Sequence, residues 1–210
     1  TTVYNPVVTD KLFEQAQEPL DHPWFDEGAP PVILGVGRLE PQKDFETLLR
    51  AFNRVQDEHD ARLVILGEGG ERQRLEELAD SLELENKVDM PGFVDNPFKY
   101  MSRADVFALT SRFEGLPGVL IQAMATGCPV VSTDCPSGPA EILGREGRLG
   151  SLVPVGDDEA LADALEYVLA TQWDREALGE GVAPFDTRAS AQAYAQVLGL
   201  VAHERGPVQG

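Results

Sequence analysis

Cysteine and histidine are scarce in these 210 residues, and their scarcity removes whole classes of chemistry. The two cysteines, Cys128 and Cys135, each stand before a proline and are too few for a disulfide framework. They read as buried free thiols of a reducing compartment. His22, His59 and His203 are scattered along the chain, which excludes a zinc cluster built on histidine. No two aspartates stand two apart, so the Asp-x-Asp clamp for a divalent ion is missing, and no metal site is expected. No glycine precedes a lysine, which excludes a P-loop. Gly35 and Gly37 are followed by Glu40, and Gly67 and Gly69 by Arg72, so no Gly-x-Gly-x-x-Gly dinucleotide fingerprint is present. The Gly-x-Ser-x-Gly turn of a serine nucleophile is also absent. No apolar run approaches the ~18 residues that a spanning helix needs.

Positive charge is the other shortage. Seventeen basic residues face thirty-six acidic ones, a formal net charge of −19. A field of that sign repels nucleic acid and anionic lipid, so no nucleic-acid partner is expected and no membrane association is visible. Any cation that grips an anionic ligand must therefore be placed locally. What remains is ordinary for a globular protein, with 42% hydrophobic and 25% charged residues. The length suits one α/β core with a helical tail.

From Val32 onward, short β-branched runs alternate with amphipathic stretches. Strands are predicted at 32–36, 62–66, 88–90, 106–109, 130–132 and 152–153. Phe45, Leu48, Leu49, Phe52 and Val55 repeat with the spacing of one helix face. Further helices are predicted at 75–79, 98–101, 119–125 and 140–143. The alternation implies a doubly wound, Rossmann-like parallel sheet, whose ligands bind beyond the carboxyl ends of the strands. Residues 1–31 hold five prolines and little periodicity, and read as a linker and lead-in. Residues 32–186 form the expected binding domain. Beyond Gly156 the pattern is helical, at 159–169, near 175–178 and at 188–201, with 187–210 taken as a C-terminal helix and tail.

Two loops after strands carry candidate chemistry. In the first, Gly37-Arg38-Leu39-Glu40-Pro41-Gln42-Lys43, the glycines at 35 and 37 allow close approach to the backbone. Arg38 offers a planar fork and Lys43 a mobile point charge, a pair suited to a diphosphate. The second runs from Ser111 to Ala123 and includes Arg112-Phe113-Glu114-Gly115-Leu116-Pro117. A helix starting near Pro117 would aim the amides of Gly118, Val119 and Leu120 at an anion in the crevice. Glu114 and Gln122 are polar groups able to accept hydrogen bonds from sugar hydroxyls. Each also has a plain alternative, Glu114 as a helix-dipole partner and Gln122 as a helix surface residue.

Gly37-Arg38-Leu39 with Lys43, then Gly92-Phe93-Val94, residues 111–125 and Gly127-Cys128-Pro129-Val130-Val131 together resemble the C-terminal domain of glycosyltransferase family 4, from about Tyr4 to Val201. The stretch from Glu114 to Ile121 and residues 134–142 are its most specific parts. The resemblance implies one half of a two-domain GT-B enzyme that retains anomeric configuration and needs no metal. By it, Arg38, Lys43 and Glu114 are catalytic, with Arg38 and Lys43 on the donor diphosphate and Glu114 on the donor sugar. Gly37, Val94, Gly118, Val119, Leu120 and Gln122 bind the nucleotide, and the loop at Phe93 and Val94 holds the base. Gln122 departs from the pattern, because that position usually carries a glutamate for the ribose.

No cofactor is implied. The substrate is a nucleotide diphosphate sugar, a UDP-sugar by default. The acceptor, a glycan or a lipid-linked glycan, belongs to an N-terminal domain that the first ten residues resemble the exit from. The fragment alone is expected to transfer little. Its place is cytoplasmic, extending to peripheral attachment at the cytoplasmic membrane face. Two other readings stay open: half of a sugar-nucleotide epimerase, and a degenerate module that binds nucleotide sugar without catalysis.

Overall fold

Each of the six short apolar runs forms a strand of one parallel sheet: β1 (Val32–Val36), β2 (Arg62–Leu66), β3 (Val88–Gly92), β4 (Val106–Leu109), β5 (Val130–Thr133) and β6 (Ser151–Val153). The computed structural model describes residues 3–144 and 149–199. The helices are α1 (Asp10–Ala16), α2 (Phe45–Val55), α3 (Arg72–Ser81), α4 (Phe98–Met101), α5 (Gly118–Ala125), α6 (Pro139–Leu143), α7 (Asp158–Ala170), α8 (Arg175–Gly181) and α9 (Thr187–Val197).

The strand order is β3-β2-β1-β4-β5-β6. The chain therefore winds outward from β1 one way and, after β3, from β4 the other. The crevice lies where the direction reverses, at the carboxyl ends of β1 and β4. Alternate residues along each strand enter opposite cores. Val32 and Leu34 join Phe107, Leu120 and Met124 on one face, while Ile33 joins Phe52, Leu63 and Leu165 on the other. Both faces are covered, which is why β4 and β5 are buried at every position. The five apolar residues spaced along α2 are all buried, against the sheet and α7.

Ahead of β1 the chain does more than lead in. Thr9 caps α1 by accepting a hydrogen bond from the Leu12 amide, Leu12 is buried, and the helix packs on α4. Val8 forms a parallel bridge with Asp186, tying this segment to the residues before α9. Too short for a periodic signal and flanked by prolines, α1 is missing from the sequence reading. At the other end, α9 stops at Val197 rather than running to 201, and residues from 200 onward lie outside the described residues. No described helix is long and apolar enough to cross a membrane.

Candidate active site

The two loops named from the sequence lie side by side, because β1 and β4 are neighbours in the sheet. Backbone and side-chain bonds join them directly. The Arg112 amide donates to the Gln42 carbonyl at 2.8 Å, Gln42 Nε2 donates to the Phe113 carbonyl at 2.8 Å, and Thr110 Oγ1 donates to the Lys43 carbonyl at 2.8 Å. Arg112 Nη2 stands 3.0 Å from the carboxylate of Asp44, the residue just before α2, whose backbone lies in the left-handed region at φ 50°.

Within this frame Lys43 and Glu114 meet. Lys43 Nζ lies 2.5 Å from Glu114 Oε1, and Ser111 Oγ donates to the same oxygen at 2.6 Å. The two charged side chains are only 17% and 9% exposed, so this contact is screened far less than a surface pair. Arg38 differs. It is exposed and makes no ion pair among the described residues, leaving its guanidinium available. It lines a cavity of about 280 Å³ together with Gly37, Leu66, Phe93, Val94 and Pro97. That cavity is largely apolar, with Glu68 at its edge, and Phe93 is 75% exposed beside it.

Gly118 and Val119 open α5, half-buried, and their amides donate to no backbone acceptor among the described residues. Leu120 does not serve in the same way. It is fully buried, and its amide donates to the Pro117 carbonyl at 3.0 Å, so that N–H is already spent inside the first turn. Gln122 lies farther along α5, half-buried, with no side-chain hydrogen bond among the described residues. The structure thus joins Arg38 to Gly37 and Val94 around one cavity, and Lys43 to Glu114 beside it.

Several residues at this site had no role in the sequence reading. Ser111 and Thr110 are buried hydroxyls at the end of β4, and Thr133 Oγ1 at the end of β5 donates to the Ser111 carbonyl at 2.6 Å. A polar Thr-Ser pair directly after an apolar strand was the available signal. Cys135 is buried beside them, and burial raises its thiol above the ordinary range, opposed by a hydrogen bond with Thr133. Gly138, at φ +94°, packs so closely that an added β-carbon would stand 2.4 Å from Pro117 and 2.5 Å from the Gly115 carbonyl oxygen. The loop after β5 thereby fixes the approach to α5.

Comparison with known proteins identifies a family and a shared fold. The family model described as glycosyl transferases group 1 matches residues 19–183. An N-acetylgalactosaminyltransferase of Campylobacter jejuni that acts on N-acetylgalactosamine-N,N'-diacetylbacillosaminyl-diphospho-undecaprenol is 42% identical over 137 residues, 65% of this chain and 37% of that protein. The apo lipopolysaccharide outer core galactosyltransferase WaaB superposes with a TM-score of 0.79 at 24% identity, covering 96% of this chain and 56% of its own. Anabaena HepE in complex with UDP gives 0.71 at 25% identity, covering 81% and 49%. The chain spans about half or less of the length of the curated relatives it matches.

Proposed function

The chain belongs to the glycosyl transferases group 1 family, and on that premise we propose that it is the donor-binding, C-terminal half of a retaining, metal-independent family 4 glycosyltransferase. The enzyme moves a sugar from a nucleotide diphosphate sugar to a glycan or lipid-linked acceptor. One observation carries the reading. Arg38, in the loop after β1 and without an ion pair among the described residues, lines an apolar cavity of about 280 Å³, Lys43 follows in the same loop, and α5 starts beyond the adjacent strand β4. In a chain of net charge −19, such a cluster is a local exception with a local purpose.

The base enters the cavity at Val94, against Phe93. The diphosphate lies over Arg38, Lys43 and the amides of Gly118 and Val119. Cleavage of the sugar–phosphate bond builds negative charge on the departing diphosphate, and these groups stabilise it more in the transition state than in the ground state. Cations so placed fill the role a divalent ion would otherwise take. Glu114 accepts a hydroxyl of the donor sugar, and Gln122 accepts from the ribose with its amide oxygen. The Gly37 backbone leaves room for the phosphates. HepE, a structural neighbour, is bound to UDP, which supports a uridine nucleotide here. The diphospho-undecaprenol acceptor of the Campylobacter relative supports a lipid-linked acceptor at a cytoplasmic membrane face. Acceptor binding belongs to the part of the enzyme beyond this chain, so the chain alone binds donor and transfers little.

A thermal-shift panel of nucleoside diphosphates and their sugars tests the proposal, because a ligand bound only by the folded state stabilises it by mass action. Stabilisation by UDP or a UDP-sugar is the expected result. No shift with any nucleotide would remove the donor site.

A further inference from the structure

Glu114 is held from two sides by groups of very different kinds. Its Oε1 takes both Lys43 Nζ at 2.5 Å and Ser111 Oγ at 2.6 Å, while Oε2 accepts no hydrogen bond among the described residues. Lys43 is a mobile cation on a long stem. Ser111 is the opposite: fully buried, with one rotatable side-chain bond, and pinned through its own carbonyl by Thr133 Oγ1 at 2.6 Å. Thr133 is itself fully buried on the neighbouring strand, so Ser111 cannot follow a ligand.

A diphosphate at the proposed site competes with Glu114 for Lys43. Once the ammonium turns to the phosphates, a carboxylate only 9% exposed is left with one protein partner, the Ser111 hydroxyl. We propose that Ser111 is the positioning residue of the donor-sugar subsite. Its hydroxyl keeps Oε1 of Glu114 in place when Lys43 is drawn to the diphosphate, and so presents Oε2 to a hydroxyl of the donor sugar. This inference rests on the donor-site reading above. It separates two tasks: Lys43 couples Glu114 to the diphosphate, and Ser111 aims it at the sugar.

The test is calorimetric titration of the whole chain with UDP and with UDP-glucose, UDP-galactose and UDP-N-acetylglucosamine, using the sugar nucleotide bound most tightly. Ser111→Ala should reduce its affinity relative to UDP about tenfold, the scale of one lost hydrogen bond to a charged group. Affinity for UDP itself should stay within about twofold, since Ser111 faces no phosphate in this scheme. Ser111→Cys keeps the size and a weaker donor, and should fall between. In a Glu114→Ala background, Ser111→Ala should change nothing further, because its only partner in the scheme is gone. Equal loss for UDP and the sugar nucleotide overturns the proposal, as does an unchanged ratio or a loss that persists in full without Glu114. If Ser111→Ala does not fold, Ser111→Cys decides by the same ratio. Wild-type protein that binds none of the four ligands overturns the donor site itself, visible before any variant is compared.

Discussion

Gly67 and Gly37 meet backbone to backbone: a β-carbon placed on Gly67 would stand 1.8 Å from the Gly37 carbonyl oxygen. Gly69 lies as tightly on the next turn of the same loop, its notional β-carbon 2.3 Å from the Leu39 carbonyl oxygen. The amides of Gly37 and Leu39 donate to the carbonyls of Leu66 and Glu68 at 3.0 and 2.9 Å. Arg38 is thus carried between two residues whose positions are set by the loop after β2. The glycines there let the loop after β2 pack directly on the backbone of the cationic loop.

Gly67→Ala should therefore be severe. It adds a clash with backbone, which cannot rotate away, at a φ of +145° that side chains rarely adopt. We expect a loss of about 3 kcal/mol or more, with weakened UDP binding in whatever folds. Gly70→Ala, next door but with nothing within 4 Å of the added carbon, should cost under about 1 kcal/mol. Urea unfolding of both variants checks this. Equal stabilities would mean that the loops separate more easily than the packing implies.

Arg38 and Lys43 should part company in stability while agreeing in binding. Arg38 is exposed and unpaired among the described residues, so Arg38→Ala should leave the melting temperature within about 1 °C. Lys43→Ala strips the cation from a carboxylate only 9% exposed, and should cost about 1–3 kcal/mol. Both variants should weaken UDP binding by about tenfold or more, and uridine binding far less. Matching losses for UDP and uridine would assign both residues elsewhere than the diphosphate.

The contrast between these two cations marks how far the sequence reaches. The parallel sheet was legible because each strand is a short apolar run and the α2 face repeats without error from Phe45 to Val55. Arg38, Lys43 and Glu114 were legible as members of loops that follow strands. That Lys43 touches Glu114, 71 positions away, was not, because the adjacency of β1 and β4 is a property of strand order rather than of either motif. Ser111 was quoted in its motif without a task for the same reason. Its partners come from β5 and from the loop after β4, and only packing brings them together. Leu120 was placed among the phosphate-facing amides because helix starts leave N–H groups free, whereas the first turn here closes on Pro117 early.

Alkaline pH should destabilise the chain through its thiols. Burial pushes Cys128 from 9.0 up to about 12, with Arg175 pulling the other way, and burial also raises Cys135. A group whose folded value is raised contributes stability that is intact below the unfolded value and lost as pH climbs through the folded one. For Cys128 the window runs from pH 9.0 to about 12. Within it, this thiol alone should reduce stability by about 1.4 kcal/mol per pH unit. Urea unfolding at a series of pH values should show a shallower decline for Cys128→Ala than for wild type. Parallel curves would mean that Cys128 ionises equally in both states.

Gln122→Glu tests the position where this chain departs from the family pattern. Gln122 is half-buried on α5 and has no side-chain partner among the described residues, so either side chain fits without breaking a bond. A carboxylate there would accept from a ribose hydroxyl about twice as strongly as an amide oxygen. Against this, it adds a negative charge beside a diphosphate on a chain already at −19. These terms are each near 1 kcal/mol and oppose one another, so UDP affinity should change by less than about tenfold. The amide oxygen already supplies the acceptor that the ribose needs. Titration of both proteins with UDP decides the matter, and a hundredfold tightening in Gln122→Glu would show instead that the natural glutamine cripples the site.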